Sequence, residues 1–336
     1  MARALDLAQL GHGSVSPNPL VGCVIVHDNE IIGEGWHQQY GQAHAEVNAI
    51  NSVANQDLLK NSTAYVNLEP CSHFGKTPPC ADLIVQKQLK KVVVANVDSN
   101  PKVGGKGIAL MRNAGIEVIT GVLEEEGRII NQRFFTYIEK ARPYVILKWA
   151  ETADGYIARE NFDSKWISNA LSRQLVHKWR AEEDAILVGT NTARYDNPKL
   201  NVRDWSGRNP IRIVIDKALK LDKNLALFDQ SQHTYCYNLA KDEKQGKVTY
   251  VKLTEDNFTI EMLQHMAKQN IQSLIVEGGS QLLSSLIGSD LWDEARVFKS
   301  SARFEKGIAA PRIQDKWISS EQIQSDQLLI YKHTNL

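Results

Sequence analysis

The chain has 336 residues, enough for two domains, and 43% of them are hydrophobic, enough for two cores. Its 39 lysines and arginines balance 39 aspartates and glutamates, so the formal net charge is zero. This balance argues against a broad electrostatic surface for nucleic acid. The sequence shows no apolar run of membrane-spanning length and no signal-peptide region. With only four cysteines, the composition predicts a cytoplasmic enzyme.

Residues 1–140 are predicted to form a first domain in which strands and helices mostly alternate. This order favours a mixed sheet covered by helices on both faces. Ala141-Arg142-Pro143 is predicted to be the linker. The predicted elements are a helix over Met1–Leu10, strands over Leu20–Val26 and Ile31–Trp36, a helix over Ala43–Ala54, a strand over Thr63–Leu68, a helix over Cys80–Lys90, a strand over Lys91–Val97, a helix over Gly107–Ala114, a strand over Ile116–Ile119 and a charged helix over Glu124–Lys140.

A set of metal-binding residue types is spread over three of these elements. His44 and Glu46 are predicted in the first turn of a helix, Cys71 just past a strand, and Cys80 at the start of the following helix. A histidine and two cysteines can hold Zn²⁺ tetrahedrally and leave its fourth position open for water. Glu46 can then shuttle the protons of that water. This is the equipment needed to hydrolyse an amino group from a heteroaromatic base.

The spacing of the two cysteines departs from the usual deaminase signature. Eight residues, 72–79, separate Cys71 from Cys80 where Pro-Cys-x-x-Cys has two. The alternative interpretation is two buried structural cysteines with a helix-capping histidine. Cys23 and Cys236 have no such neighbours and are predicted to be small buried hydrophobic residues.

Residues 142–336 are predicted to form a second domain with one large α/β sheet. No Gly-x-Gly-x-x-Gly follows a strand here, so a Rossmann fingerprint does not predict a nicotinamide cofactor. The eight predicted strands cover Tyr144–Ala150, Asp184–Gly189, Ile211–Asp216, Thr234–Tyr237, Lys247–Leu253, Ser273–Glu277, Ala295–Lys299 and Leu328–His333.

Two polar, glycine-containing segments of this domain follow apolar strands. They are Glu277-Gly278-Gly279-Ser280 and Gly189-Thr190-Asn191-Thr192. Glycine lets a phosphate approach backbone N–H groups at the start of a helix. A plain turn before a helix has the same composition, so both interpretations remain open.

Three stretches of the first domain resemble one known family. Residues 17–26, 44–46 and 68–80, the last including the long spacing between the cysteines, are similar to the bifunctional riboflavin-biosynthesis deaminase/reductase family. The resemblance runs through almost the whole chain. It implies a cytidine-deaminase-like N-terminal domain with one zinc ion and a dihydrofolate-reductase-like C-terminal domain that uses NADPH. It also implies a small-molecule pyrimidine ribotide as substrate and a homo-oligomer, a dimer or a tetramer.

The resemblance implies roles for particular residues. In the first domain, base and phosphate contacts are implied for Asn18, His37, His73, Lys76 and Asn100. In the second domain, the implied NADPH contacts are Ala150, Trp166, Thr192, Asp196, Gly279, Ser280 and Gln281. The implied substrate contacts there are Ser164, Arg180, Leu200, Arg203 and Glu277.

Residue chemistry agrees with several of these roles and leaves others open. The guanidinium groups of Arg180 and Arg203 suit a ribose 5-phosphate. Lys148 and Glu277 are candidates for polarising or protonating the sugar as its ring opens. Asn18, between two prolines, can read the amide edge of a pyrimidine or serve only as a turn residue. The interpretation of Lys76 as an ordinary solvent-exposed charge on a loop also remains open.

The expected function is two consecutive steps on one intermediate. The first is zinc-dependent hydrolytic deamination of 2,5-diamino-6-(ribosylamino)pyrimidin-4-one 5′-phosphate. The second is NADPH-dependent reduction of the ribosyl group, which gives 5-amino-6-(5-phosphoribitylamino)uracil. The alternative is a stand-alone base or nucleoside deaminase with a non-catalytic C-terminal domain.

Overall fold

A computed structural model describes residues 1–72, 78–100 and 104–333. The chain divides into two compact units, Met1–Ala141 and Arg142–Leu336. None of the helices within the described residues is long and apolar enough to cross a membrane.

The first unit contains one mixed sheet. Over its described residues the strand order is β2-β1-β3-β4-β5. β1 is antiparallel to β2 and β3, whereas β3, β4 and β5 run parallel. Its elements are α1 (Ala2–Gln9), β1 (Gly22–His27), β2 (Glu30–Trp36), α2 (Ala45–Ser52), a 3-10 helix (Gln56–Asn61), β3 (Thr63–Leu68), α3 (Cys80–Gln86), β4 (Lys91–Asn96), α4 (Lys106–Asn113), β5 (Glu117–Thr120), α5 (Glu124–Ile130) and α6 (Gln132–Lys140).

Helices cover both faces of this sheet, which confirms the predicted mixed sheet. Residues of α2, α3 and α4 form one core with the inner faces of the strands, while Ala4 and Leu7 of α1 pack on Val24 from the other side. Gly35 of β2 is required for the close approach of α2, because a Cβ there would lie 2.3 Å from the backbone nitrogen of Ala49. The strand thus holds in place the helix that begins beside His44.

The single helix predicted over residues 124–140 is wrong. The structure has α5 and α6 with a break at Asn131. The side chain of Asn131 accepts a hydrogen bond from the Leu20 nitrogen (2.8 Å) and donates one to the Leu20 carbonyl (2.9 Å). Because both ends of this amide hold the segment that precedes β1, the break is stabilised by a tertiary contact.

The second unit contains a larger sheet, mostly parallel. In its described part the strand order is β11-β12-β10-β9-β8-β13-β6-β14-β17-β16, with a separate pair β15-β7. Its elements are β6 (Tyr144–Glu151), β7 (Tyr156–Ala158), α7 (Ala170–Glu182), β8 (Ala185–Val188), α8 (Thr190–Asp196), β9 (Ile211–Ile215), a 3-10 helix (Ala226–Phe228), β10 (Thr234–Asn238), β11 (Glu243–Gln245), β12 (Val248–Lys252), α9 (Phe258–Lys268), β13 (Ser273–Val276), α10 (Ser280–Gly288), β14 (Glu294–Lys299), β15 (Ile308–Ala309), β16 (Trp317–Ile323) and β17 (Asp326–Lys332).

The eight predicted strands all occur, and the sheet adds two at its edges. β11 is exposed throughout and β16 is exposed except at Ile323, so neither shows the apolar pattern that identifies a strand. In the middle of the sheet β9, β8, β13 and β6 run parallel. The carboxyl ends of parallel strands meet at one edge, which is where ligands bind in open α/β sheets.

Candidate functional site

The predicted metal ligands of the first unit lie together. Nδ1 of His44 is 3.6 Å from Sγ of Cys71 and 3.3 Å from Sγ of Cys80. The three ligand atoms all lie within 4.8 Å of one another. One imidazole nitrogen and two sulfurs at this separation suit a tetrahedral Zn²⁺ with a fourth position left for water. The donor set therefore fits the metal that the sequence predicts.

Local backbone structure explains why these three residues meet. His44 is the extended residue that caps α2, one position before the helix and not inside its first turn. Cys71 follows β3, and Cys80 is the first residue of α3 after Pro79. The backbone nitrogen of Cys80 donates to Sγ of Cys71 at 3.4 Å. The segment after the strand and the helix start are therefore joined at the sulfur of Cys71.

Electrostatics at this site favour a thiolate and a protonatable carboxyl. The hydrogen bond from the Cys80 thiol lowers the pKa of the Cys71 thiol below its usual range, against the effect of burial, and His44 adds to the lowering. Glu46 is only 4% exposed. Burial, and then the charge of Cys71, raises the pKa of the Glu46 carboxyl to about 7. Glu46 is thus easier to protonate than a surface glutamate.

Asn18 and His37 form a chain of hydrogen bonds beside the metal ligands. Nδ2 of Asn18 lies 3.0 Å from Nε2 of His37, and Nδ1 of His37 lies 3.0 Å from the carbonyl oxygen of Ala43. The His37 and His44 rings meet edge to face at 5.4 Å. His37 is 2% exposed, and burial lowers its pKa.

Glu69, which directly precedes Pro70-Cys71, holds the segment that carries Asn100. Among the described residues its carboxylate accepts four backbone N–H groups: Asp98 (3.2 Å), Gly105 (2.9 Å), Gly107 (2.9 Å) and Ile108 (3.2 Å). Two of these belong to the first turn of α4, whose positive end favours a carboxylate. His73 and Lys76 lie outside the described residues.

The second unit has a cavity of about 1140 Å³ at the carboxyl edge of its parallel strands. Leu200 does not line it, because its side chain is 2% exposed and packs in the core. The cavity brings together the other predicted residues of this unit: Lys148, Ala150, Ser164, Trp166, Arg180, Thr192, Asp196, Arg203, Glu277, Gly279, Ser280 and Gln281.

One charged cluster occupies the wall of this cavity. Nε and Nη2 of Arg180 each lie 2.7 Å from a different oxygen of Glu277, and Nζ of Lys148 is 3.9 Å from the same carboxylate. Although burial opposes it, Arg180 and Lys148 together lower the pKa of Glu277 to about 2. Burial lowers the pKa of Lys148, and Glu277 counteracts that shift. Glu277 is therefore a permanent anion at neutral pH.

Other residues that line the cavity come from a loop, from α8 and from the start of α10. Oγ of Ser164 donates to Asp196 at 3.2 Å. Gly278 has a φ of +102°, a conformation that L side chains rarely adopt, at the turn between β13 and α10. Trp166 is 78% exposed, with the Arg173 guanidinium 4.8 Å from its ring centre. A large open aromatic surface therefore lies at the mouth of the cavity.

Some residues at this cavity were not predicted from the sequence. His177 lines it one helical turn before Arg180, and its Nε2 is 3.3 Å from Asp204. Phe162 and Tyr195 stack at 4.2 Å with parallel rings. The i, i+3 spacing of His177 and Arg180 on α7 was a usable signal. The Phe162–Tyr195 pair had no such signal in the sequence, because its two residues come from separate segments of the chain.

Two protein-family models match the chain. Residues 1–96 match the cytidine and deoxycytidylate deaminase zinc-binding region. Residues 143–302 match the RibD C-terminal domain. Each match covers the part of the chain that contains one of the two sites.

Curated relatives and solved structures are similar over nearly the full length. The riboflavin biosynthesis protein RibD of Aquifex aeolicus (strain VF5) is 39% identical over 92% of this chain and 88% of its own. That of Bacillus amyloliquefaciens is 38% identical over 97% and 88%. A crystal structure of a Thermotoga maritima diaminohydroxyphosphoribosylaminopyrimidine deaminase/5-amino-6-(5-phosphoribosylamino)uracil reductase has a TM-score of 0.90 and 38% identity, covering 99% of this chain and 97% of that one.

Proposed function

Because the chain belongs to the family of bifunctional riboflavin-biosynthesis deaminase/reductases, and is an enzyme with both activities, we propose which of its residues carry each step. The deaminase site is assigned to the first unit and the reductase site to the second. The observation that carries the deaminase assignment is the convergence of three metal-ligand atoms within 4.8 Å. The alternative of a non-catalytic second half is not favoured.

For deamination we assign Zn²⁺ to His44, Cys71 and Cys80, and the proton transfers to Glu46. When bound, zinc supplies a water made acidic enough to act as a nucleophile at neutral pH. Glu46 takes a proton from that water and delivers protons to the ring nitrogen and to the departing ammonia. Its position two residues after His44 and its burial beside the two cysteines support this role.

Recognition of the pyrimidine ribotide is assigned to Asn18, His37 and Asn100, with His73 and Lys76 on the loop between the cysteines. Asn18 is held 3.0 Å from His37, whose ring contacts that of His44. Asn100 is held through the segment that Glu69 fixes. These contacts support a base-binding side of the deaminase site.

For reduction we propose NADPH as the cofactor, which supplies hydride to C1′ of the ribose. A cavity of about 1140 Å³ is large enough for a dinucleotide together with a ribotide. The Gly279 turn offers backbone N–H groups at the start of α10 to phosphate oxygens. The proposed NADPH contacts are Ala150, Trp166, Thr192, Asp196, Gly279, Ser280 and Gln281.

The substrate of the reductase is assigned to the charged wall of the cavity. Arg203 is the favoured phosphate ligand, because Arg180 already binds Glu277 in the bidentate manner that a phosphate would need. Glu277, as a permanent anion, orients Arg180 and Lys148. Lys148 is then the group that polarises the sugar oxygen as the ring opens. Ser164, which lines the cavity, completes the proposed set of contacts. Leu200 is not retained, because its side chain is buried in the core and does not line the cavity.

Mass spectrometry of the ribotide after incubation with the zinc-loaded full chain tests both steps. Replacing NH₂ by oxygen adds about one mass unit, and a hydride plus a proton adds about two more. We expect a gain of one without NADPH and three with it. A gain of one under both conditions would reject the reductase. No gain with zinc bound would reject this substrate.

We also propose a homo-oligomer in a reducing, cytoplasmic setting. The oligomer is supported only by family membership, and light scattering of the purified chain tests it. The location is supported by the two thiol ligands, Cys71 and Cys80, which must stay reduced to bind the metal. Oxidation to a disulfide would remove both ligands at once.

A further inference from the structure

We infer that Asp204 is a positioning residue of the reductase site: its carboxylate, held by the buried His177, orients the guanidinium of Arg203 toward the substrate phosphate. This inference rests on the proposed reductase function, in which Arg203 is the phosphate ligand. The resemblance implies no role for either Asp204 or His177. The inference also gives an acidic residue beside a phosphate site a favourable effect on phosphate binding.

Arg203 has a fixed backbone but an exposed side chain. The Val202 nitrogen donates to Oδ1 of Asn209 at 2.7 Å, and the Asn201 carbonyl accepts from Nη1 of Arg180 at 3.2 Å. The side chain of Arg203 is 60% exposed, and a long side chain loses rotamer entropy when a ligand immobilises it. A contact that restricts the Arg203 rotamers before the substrate arrives therefore favours binding.

The Asp204 carboxylate binds the guanidinium of Arg203 at the nitrogen nearest the main chain. Nε of Arg203 donates to Oδ2 of Asp204 at 3.2 Å, and within the described residues neither Nη1 nor Nη2 of Arg203 makes a hydrogen bond. Arg203 lines the cavity, whereas Asp204 is not among the lining residues. The two terminal nitrogens therefore remain available as a fork for two phosphate oxygens.

His177 ties Asp204 to helix α7. The side chain of Asp204 is 52% exposed, whereas that of His177 is 3% exposed, and Nε2 of His177 lies 3.3 Å from Oδ2 of Asp204. Nδ1 of His177 is buried without a hydrogen-bond partner in the described part of the chain, so the ring proton belongs on Nε2, where the carboxylate can accept it. An exposed ion pair by itself orders its side chains weakly, and the buried ring adds the fixed point.

His177 can hold Asp204 without neutralising its charge. Burial lowers the pKa of His177, and Arg180 and Arg203 lower it further. Asp204 and Glu277 act in the opposite direction and do not reverse the shift. The imidazole is therefore neutral at pH 7, and the carboxylate keeps its negative charge for Arg203.

The direction in which Asp204→Ala changes the KM tests the inference. Reduction of the deaminated ribotide by NADPH is measured with the full chain. By electrostatics alone, removal of a negative charge beside a phosphate site would lower the KM. A positioning role instead raises the KM by about three- to tenfold, as expected for one net hydrogen bond, with kcat nearly unchanged. An unchanged or lower KM would overturn the inference. Glu321→Ala, an exposed carboxylate that does not line the cavity, is the control and should leave the KM as it is.

Double variants show through which residue Asp204 acts. In the Arg203→Ala background, Asp204→Ala should raise the KM no further, because the carboxylate acts only through Arg203. His177→Leu should raise the KM as Asp204→Ala does, and His177→Gln, whose amide nitrogen can donate to the carboxylate, should restore much of the loss. Multiplicative effects of Asp204→Ala and Arg203→Ala would overturn the inference, as would equal losses in the two His177 variants. Because Asp204 is exposed, its variants decide the matter even where His177→Leu does not fold.

The same substrate without its phosphate separates orientation of Arg203 from a general distortion of the site. The KM for this dephosphorylated substrate should be the same in the wild type and in Asp204→Ala. An equal rise for both substrates would mean that the substitution distorts the cavity, and the inference would fail while the proposed function stood. A wild type that reduces neither substrate with NADPH would reject the proposed function itself, and the inference with it.

Discussion

Arg180 and Glu277 form a bidentate ion pair in the wall of the second unit's cavity, with two parallel contacts of 2.7 Å. Nη1 of Arg180 is also used, since it donates to the Asn201 carbonyl at 3.2 Å. Arg203, by contrast, has 60% of its side chain exposed, and its one ion-pair partner in the described part of the chain is its neighbour Asp204 at 3.2 Å. The two arginines therefore differ in what they can offer to a ligand.

We expect Glu277→Gln to change how stability depends on pH. The pKa of Glu277 is about 2 in the folded protein against an ordinary value of 4.5. A depressed carboxyl pKa contributes stability above pH 4.5 that is lost as pH falls toward 2, and a shift of this size corresponds to about 3 kcal/mol. The wild type should therefore exceed the variant in unfolding free energy at pH 6, and the two should converge near pH 2. Denaturant unfolding at several pH values measures this. If the unfolding free energies of the wild type and the variant changed in parallel with pH, the charge of Glu277 would not be stabilised by the fold.

Arg203→Ala should weaken reduction and leave deamination unchanged. Loss of a charged phosphate contact should raise the KM of the reductase for the ribotide by roughly ten- to a hundredfold. Arg312→Ala is the matched control, because Arg312 is exposed and does not line the cavity. Separate assays of the two steps are needed. An equal loss of deamination would point to unfolding and not to a lost contact.

Glu46→Gln should keep zinc and lose deamination. The substitution preserves shape but removes the proposed proton carrier, and proton transfer by such a group typically contributes about 10²–10⁴-fold. Reduction of the deaminated intermediate should be unaffected. His44→Ala should lose zinc as well as activity, which metal analysis of both variants would show. Near-normal turnover by Glu46→Gln would reject Glu46 as the proton carrier.

Glu69→Gln should loosen the segment from Asp98 to Ile108. In the variant, the NH₂ group of glutamine replaces one carboxylate oxygen of Glu69. The backbone N–H groups that bonded to that oxygen lose their acceptor, and leaving such buried donors unpaired costs about 1–3 kcal/mol. Amide hydrogen exchange should speed up in that segment, and the KM for deamination should rise. Glu125→Gln on the exposed surface of α5 is the control. Unchanged exchange in the segment would mean that its own turns are sufficient to hold it.

The convergence of the three candidate metal ligands could be predicted because each of them stands at a local structural boundary. His44 directly precedes a helix, Cys71 follows a strand and Cys80 begins a helix. Residue patterns mark such boundaries well, and the ligand types specify the metal. Local sequence is therefore sufficient for this site once the sheet and its helices are recognised.

The contacts that decide roles could not be predicted, because they join residues far apart in the chain. Glu69 reaches Gly107 across 38 positions, and Arg180 reaches Glu277 across 97. The hydrophobic periodicity of the sequence carries no information about such distant pairs. The break in the predicted helix at Asn131 has the same origin, since its amide binds Leu20. Thus the sequence specified which residues could react, while the tertiary structure showed which ones are already occupied.

The central place of β6 has a consequence for synthesis on the ribosome. It is the first strand of its unit to be made, yet β13 and β14 flank it, and Tyr144 bonds Glu294, 150 residues later. At about 5–20 residues per second this delay is on the order of ten seconds. During that time an apolar strand has no partner for either edge. The second unit should therefore depend more on chaperones than the first and be the part that aggregates when translation stalls.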